Sequence, residues 1–220
     1  MSAQASRASP ASLAAAAGLI VVKLGGSVVR SGELPAWLEA IAPASRRIVI
    51  VPGGGALADE VRACQSQLGF GDKAAHRMAL LAMDQLAWAV AGLRQGLAVG
   101  ATEAELRAVL DRGQVAVWAP FALVAERSDI EASWRITSDS LALWLARRLG
   151  AMRCYLVKSI ARQGDGMSAR QLARDGVVDA AFPEMLRDVG MPAFLLGRGD
   201  QHAFAACLAG RTERCGALLD

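Results

Sequence analysis

Histidine and cysteine are scarce in the 220 residues, with two of the first and four of the second. His76 and His202 are the only histidines, and Cys64, Cys154, Cys207 and Cys215 form no CxxC pair. That excludes the usual zinc frameworks and a disulfide scaffold, fits a reducing cytoplasm, and leaves no metal ligand to assign. Long apolar runs are missing as well. The stretch from Leu13 to Val22 ends at Lys23, far short of the ~20 residues needed to span a bilayer. No small-residue cleavage site follows it, so residues 1–17 read as an Ala/Ser-rich tail, and residues 18–220 as one domain. Tyrosine occurs once and the basic residues are dispersed over a net charge of only +3, which argues against nucleic acid as a partner. Neither GxxxxGK[ST] nor a GxGxxG after a strand is present, which excludes a P-loop and disfavours a dinucleotide site.

Lysine is the most informative scarcity. Of 24 basic residues only Lys23, Lys73 and Lys158 are lysine. Where arginine is the default, a retained lysine marks a place that needs a compact point charge rather than a planar fork. Chance survival is the alternative.

What is present is an alternation of short apolar strands and helical segments. Strands are predicted at Leu19–Leu24, Arg47–Val51, Gln114–Trp118, Met152–Lys158, Ala193–Leu196 and Ala217–Leu219. Helices are predicted at Leu34–Ala42, Ala56–Leu68, from a cap at Asp72 to Leu93, after Thr102 with Glu105 completing a capping box, from Thr137 or Ser138 to Arg148, after Ser168, at Pro183–Val189, and from Asp200 to Ala209. The fold class is α/β: a three-layer α-β-α sandwich around an open, mainly parallel sheet. In such sheets ligands bind beyond the carboxyl ends of the strands.

Two glycine turns stand there: Gly25-Gly26-Ser27 and Gly53-Gly54-Gly55. Glycine lets backbone N–H groups approach a phosphate closely, and a following helix adds its dipole. A pair of such turns on adjacent strands points to an anion site. Lys23 lies at the end of the first of these strands, beside its glycine turn, and Lys158 at the end of a later strand, and both could neutralise transferring phosphate oxygens. Asp139, in Thr137-Ser138-Asp139-Ser140, is a helix-start residue that could also hold both ammonium groups in place.

These motifs together resemble the amino acid kinase family: Val22-Lys23-Leu24-Gly25-Gly26-Ser27, then Val51-Pro52-Gly53-Gly54-Gly55, then a late Lys158. The resemblance implies ATP as donor with Mg²⁺, a phosphoryl acceptor bound by the N-terminal part and ATP by the C-terminal part. It implies catalytic roles for Lys23, Lys158 and Asp139. Nucleotide contacts would come from Lys23, Gly25, Gly26, Ser27, Lys158, Ser159 and Asp165, although Asp165 could equally cap a turn. It also implies a homo-oligomer, for which the Met78–Val90 stretch offers an apolar face. The segments Gly55–Arg62, Asp72–Gln85 and Trp134–Ser140 resemble the branch that phosphorylates [5-(aminomethyl)furan-3-yl]methyl phosphate to its diphosphate in methanofuran biosynthesis. Acceptor contacts would then involve Gly53, Gly54, Gly55, Asp59, Arg62, His76 and Ser138.

Arg62 suits a phosphate monoester, and Asp59, three residues earlier on the same helix face, suits an aminomethyl cation. A surface ion pair between them is the plainer reading. His76, Ala79 and Met83 share a helix face that could border a furan ring or simply be core. Isopentenyl phosphate kinases carry a His after the triplet, where this chain has Asp59 and Glu60. A uridylate-type kinase and a non-catalytic binding or storage protein on the same fold are the alternatives.

Overall fold

The computed structural model describes residues 18–44, 47–161, 164 and 166–220. The predicted tail and the Asp165 contact lie outside the described residues. Strand β1 (Ile20–Leu24) is flanked on both sides by parallel partners, β2 (Ile48–Pro52) and β5 (Arg153–Val157). Beyond them lie β3 (Leu97–Gly100), β4 (Val115–Trp118), β6 (Ala193–Leu196) and β7 (Ala217–Leu218), in the order β3-β4-β2-β1-β5-β6-β7. Only β7 runs antiparallel, against β6.

Between β1 and β2 lie helices α1 (Gly26–Arg30) and α2 (Leu34–Ile41). Helices α3 (Gly55–Leu68) and α4 (Asp72–Gly92) follow β2. Then come α5 (Glu103–Asp111), α6 (Phe121–Val124), α7 (Ser138–Leu149), α8 (Ala169–Arg174), α9 (Phe182–Val189) and α10 (Gln201–Leu208). None among the described residues is long and apolar enough to cross a membrane.

The strands are apolar on both faces because helices cover both. Val21, Val51, Cys154, Leu156 and Leu195 pack toward α5, α7 and α9. Ile20, Val22, Ile50, Tyr155 and Leu196 pack toward α2, the second half of α4, and α10. This alternation decides where the lysines go. Lys23 has the parity of Val21, and Lys158, one residue past β5, has the parity of Cys154 and Leu156. Both therefore leave the sheet on the α7 side. The chain visits β2 and β4 on one flank of β1 before crossing to β5 on the other, so the topological switch lies where the two lysines stand.

Four details differ from the sequence expectation. Gly25-Gly26 is no simple turn: Gly25 is extended and α1 starts at Gly26. Asp72 is not the cap of α4, since Gly71 takes that place and Asp72 opens the helix. The edge strand β3 and the single-turn α6 were not predicted. Leu97 to Gly100 offers only two large apolar residues between glycines, too short a run to show a period. The Thr102–Glu105 capping box forms as predicted.

Candidate active site

At the carboxyl ends of β1, β2 and β5 opens a cavity of about 470 Å³, within the usual range for small-molecule sites. Lys23, Asp139 and Lys158 meet on its floor. Lys23 Nζ lies 2.7 Å from Asp139 Oδ1, and Lys158 Nζ lies 2.8 Å from Oδ2. The carboxylate thus separates two cations that would otherwise repel. Lys23 and Asp139 are almost wholly buried. Burial alone would raise the Asp139 pKa, but the Lys158 and Lys23 charges outweigh it and hold the carboxyl down to about 2. Burial lowers Lys23 to about 8, with Asp139 opposing and Lys158 adding to the fall.

The glycine turns form one wall. A Cβ built on Gly26 would lie 2.6 Å from Gly55 Cα, and one on Gly53 would lie 2.8 Å from the Gly26 nitrogen. The two turns therefore touch backbone to backbone. This contact corrects part of the anion-site expectation. The Gly25 N–H donates to Val157 O at 3.2 Å and the Gly53 N–H to Leu24 O at 2.8 Å. These two close the strand ends and are not presented to a ligand. Gly26, Gly54 and Gly55 donate to no described backbone carbonyl outside their helices. Gly55 also has positive φ, +54°, where a side chain is strained.

The hydroxyls of Ser27 and Ser159 are already engaged. Ser27 Oγ accepts the Ser159 N–H at 3.4 Å, and Ser159 Oγ donates to Glu33 Oε2 at 2.6 Å. Arg198 donates to Ser159 Oγ at 3.0 and 3.1 Å. Burial would raise the Glu33 pKa, but the Ser159 and Ser31 hydroxyls and the Arg198 charge bring it down. The loops after β1, β5 and β6 are thereby tied together beside the cavity.

The opposite end is built by α3, α4 and the loop before α7. His76, Ala79 and Met83 all line the cavity, as their shared helix face requires. Burial lowers the pKa of His76, so its imidazole is neutral at pH 7. Asp59 lies between two guanidiniums, in an ion pair with Arg30 and 3.4 Å from Arg62 Nη1. Its charge is matched within the protein, which removes the expected free partner for an aminomethyl cation. Arg62 lies 4.1 Å from the centre of the Trp134 ring. Trp134 Nε1 donates to Gln65 Oε1 at 2.6 Å, and Gln65 Nε2 donates to Asp72 Oδ1 at 2.8 Å. Ser138 lines the cavity at the first position of α7.

Arg30, Trp134 and Asp179 also line the cavity and were not singled out from the sequence as site residues. Arg30 ends a five-residue helix and carries no local signal. Trp134 sits in a loop without periodicity. Asp179 is detectable in principle, as an acid inside the apolar Val177-Val178-Asp179-Ala180-Ala181 stretch.

The family model described as the amino acid kinase family matches residues 18–162. A curated relative, the [5-(aminomethyl)furan-3-yl]methyl phosphate kinase of Methanocaldococcus jannaschii, is 27% identical over 187 residues, covering 80% of this chain and 86% of the relative. Among solved structures, uridylate kinase from Archaeoglobus fulgidus matches with a TM-score of 0.68 at 17% identity, over 91% of this chain and 99% of that one. UMP kinase from Bacillus anthracis matches with a TM-score of 0.66 at 15% identity, over 92% and 96%. At such identities the structures speak for the fold alone, and they share the open, mostly parallel sheet described above. The family match covers the sheet centre, both glycine turns and all three residues on the cavity floor, and the chain belongs to the amino acid kinase family.

Proposed function

We propose that this phosphotransferase moves the γ-phosphoryl group of ATP onto the phosphate of a small phosphate monoester. The acceptor we favour is [5-(aminomethyl)furan-3-yl]methyl phosphate, giving its diphosphate. The observation that carries the reading is the pair of ammoniums held 2.7 and 2.8 Å from one carboxylate at the cavity floor. Phosphoryl transfer needs positioned positive charge around the equatorial oxygens more than it needs covalent chemistry. An acceptor phosphate oxygen attacks the γ-phosphorus in line, the bond to the β–γ bridging oxygen breaks, and ADP leaves. The acceptor is already an anion, so no general base is required.

The acceptor phosphate would lie toward Arg62 and Arg30, near the N-terminus of α3, where donors and dipole favour an anion. The ring would lie against Met83, Ala79 and the neutral His76. Asp72, which lines the cavity and bonds Gln65, replaces Asp59 as the partner we favour for the aminomethyl cation. The relative's printed substrate supports this choice of acceptor. ATP would enter from the side of Lys158, Ser159 and the Gly176–Val178 turn.

Mg²⁺ does not fit as a ligand of the cavity floor. Both Asp139 oxygens face lysines, and among the described residues no group of three or more His, Cys, Asp or Glu gathers to hold a metal. The ion would arrive on the phosphate oxygens of ATP and neutralise part of their charge. A cytoplasmic homo-oligomer goes with this reading, with Met78, Leu81 and Trp88 of α4 exposed for a partner copy.

The test is ADP release and product mass with the furan monophosphate and, in parallel, uridine monophosphate. Diphosphate formed from the furan compound, and lost in Lys158→Ala, is the expected result. Turnover of uridine monophosphate alone would replace the acceptor. ATP binding without turnover of either would favour a binding protein.

A further inference from the structure

Helix α7 carries Asp139 in its first turn, yet it begins without a cap of its own. Its N-cap residue, Thr137, is extended at φ −127° and makes no side-chain bond to the helix. A self-capped helix would use that hydroxyl to accept the N–H of the third helical residue, which here is Ser140. That bond comes instead from Asp179, in the turn between α8 and α9. Asp179 Oδ2 accepts the Ser140 N–H at 3.0 Å, the Thr137 N–H at 2.8 Å and the Thr137 hydroxyl at 2.9 Å. Asp179 Oδ1 accepts the Ser140 hydroxyl in a short bond.

Asp179 also reaches Asp139 directly. Its backbone N–H donates at 3.3 Å to Asp139 Oδ2, the oxygen that holds Lys158. Asp139 is thus fixed on three sides: by residue 137 before it, by residue 140 after it, and at the carboxylate. Asp179 is itself 9% exposed, and four donors occupy most of its acceptor capacity. Placing a second carboxylate so close to Asp139 is costly. Burial and the Asp139 charge both push the Asp179 pKa up, against the hydrogen bonds from Ser140 and Thr137. A neutral cap would have closed the helix without that repulsion.

We propose that Asp179 is a positioning residue for phosphoryl transfer: through the first turn of α7 and its own N–H, it sets Asp139 where that carboxylate can hold Lys23 and Lys158 together. The proposal rests on the reading of those three residues as the transfer centre.

The experiment is a steady-state cycle of wild type, Asp139→Asn, Asp179→Asn and the double variant, with ATP and whichever acceptor the wild type turns over. Asparagine keeps the shape and an accepting oxygen. Asp179→Asn should lower kcat by about tenfold to a hundredfold while both KM values stay within about threefold. The double variant should be no slower than Asp139→Asn alone, because Asp179 acts through Asp139. Ser140→Ala removes one donor to the same carboxylate and should lower kcat in the same direction, which keeps the test open if Asp179→Asn does not fold. Unchanged kcat in folded Asp179→Asn and in Ser140→Ala overturns the proposal, as does an additive loss or a raised KM, which would make Asp179 an independent or substrate-contacting group. If Asp139→Asn itself keeps full kcat, the transfer centre is misassigned and the proposal falls with it. Only in that case does the failure lie in the functional reading.

Discussion

Lys158 stands 2.8 Å from one oxygen of Asp139 while Lys23, from the adjacent strand, stands 2.7 Å from the other. The carboxylate is more than a tether, because it is the counter-charge that lets two ammoniums share a dry pocket. Removing one partner of a buried pair leaves an uncompensated charge, at a cost of about 3–5 kcal/mol. Asp139→Asn should therefore lose stability on that scale in urea denaturation and lose at least about a hundredfold in kcat. ATP supplies negative charge to the same ammoniums. Its stabilising effect should be larger in the variant than in the wild type, read as a larger ATP-induced shift in Tm. An equal shift in both proteins would mean that the triphosphate does not reach the lysines.

The depressed pKa of Lys23 gives a pH signature. Burial disfavours the charged ammonium and lowers the Lys23 pKa from the ordinary 10.5 to about 8. Above pH 8 the free enzyme loses a positive charge at its floor, so kcat/KM for ATP should fall tenfold per unit. Stability should not fall with it over the first unit. The unfolded lysine keeps its proton up to 10.5, so between 8 and 10.5 the unfolded chain binds more protons at this site and its contribution to stability rises with pH. The thiol of Cys154, pushed up by burial, and that of Cys215, pushed up by its neighbour Cys207 and by burial, oppose this once unfolded thiols ionise near pH 9. The clean window is pH 8 to 9, where activity should drop and the denaturation midpoint should hold. Parallel loss of both would assign the alkaline limb to unfolding.

Trp134 links the acceptor end to α3. Its ring carries Arg62 at 4.1 Å and its Nε1 is held by Gln65 at 2.6 Å. A cation over an aromatic face contributes about 0.5–1 kcal/mol at a half-exposed site, and the stack also aims the guanidinium into the cavity. Trp134→Ala should raise the acceptor KM about threefold to tenfold with kcat and the ATP KM unchanged. Trp134→Phe keeps the face and loses the bond to Gln65, so it should fall between the two. Initial rates with each substrate varied in turn while the other is saturating separate these cases. An effect on the ATP KM instead would place Trp134 at the other substrate.

Much of this was legible because strand chemistry is local. Ile20–Leu24 and Ile48–Val51 announce buried strands, and a glycine turn after each marks the carboxyl ends where ligands bind. Lysine scarcity pointed to Lys23 and Lys158, and parity in the strands then puts both on one face. It also pointed to Lys73, which is exposed and does not line the cavity, so scarcity by itself is not a site signal. What stayed hidden depends on distant chain. Asp179 caps a helix from 42 residues away in sequence from Thr137, and no window along the chain contains that bond. Arg30 meets Asp59 only because α1 and α3 cross. Nor did the sequence reveal that Gly25 and Gly53 spend their N–H groups on strand ends, since glycine reports that backbone comes close without saying to what.

The contact between the two glycine turns makes the last prediction. Gly26 opens α1 directly against Gly55, which opens α3, and a Cβ on Gly26 would sit 2.6 Å from Gly55 Cα and 2.9 Å from its nitrogen. Both obstacles are backbone, so no side chain can rotate away. Gly26→Ala must separate the ends of β1 and β2 by several tenths of an ångström, or displace α3. Displacement of α3 carries Arg62 and Asp59 away from Arg30, while separation moves the donors at the N-terminus of α3 away from Lys23. Either way the acceptor and the transfer centre lose their alignment, and misplacements on the ångström scale cost about a hundredfold in rate. The variant should therefore lose about a hundredfold in kcat/KM for the acceptor while remaining folded, since most of the core lies below the turns. Gly69→Ala is the control. That residue has positive φ, +72°, which Gly26 does not, but nothing lies within 4 Å of its would-be Cβ. It should cost a little stability at the end of α3 and leave kcat/KM within about twofold. If Gly26→Ala behaves like Gly69→Ala, the close approach of the turns is not what aligns the site.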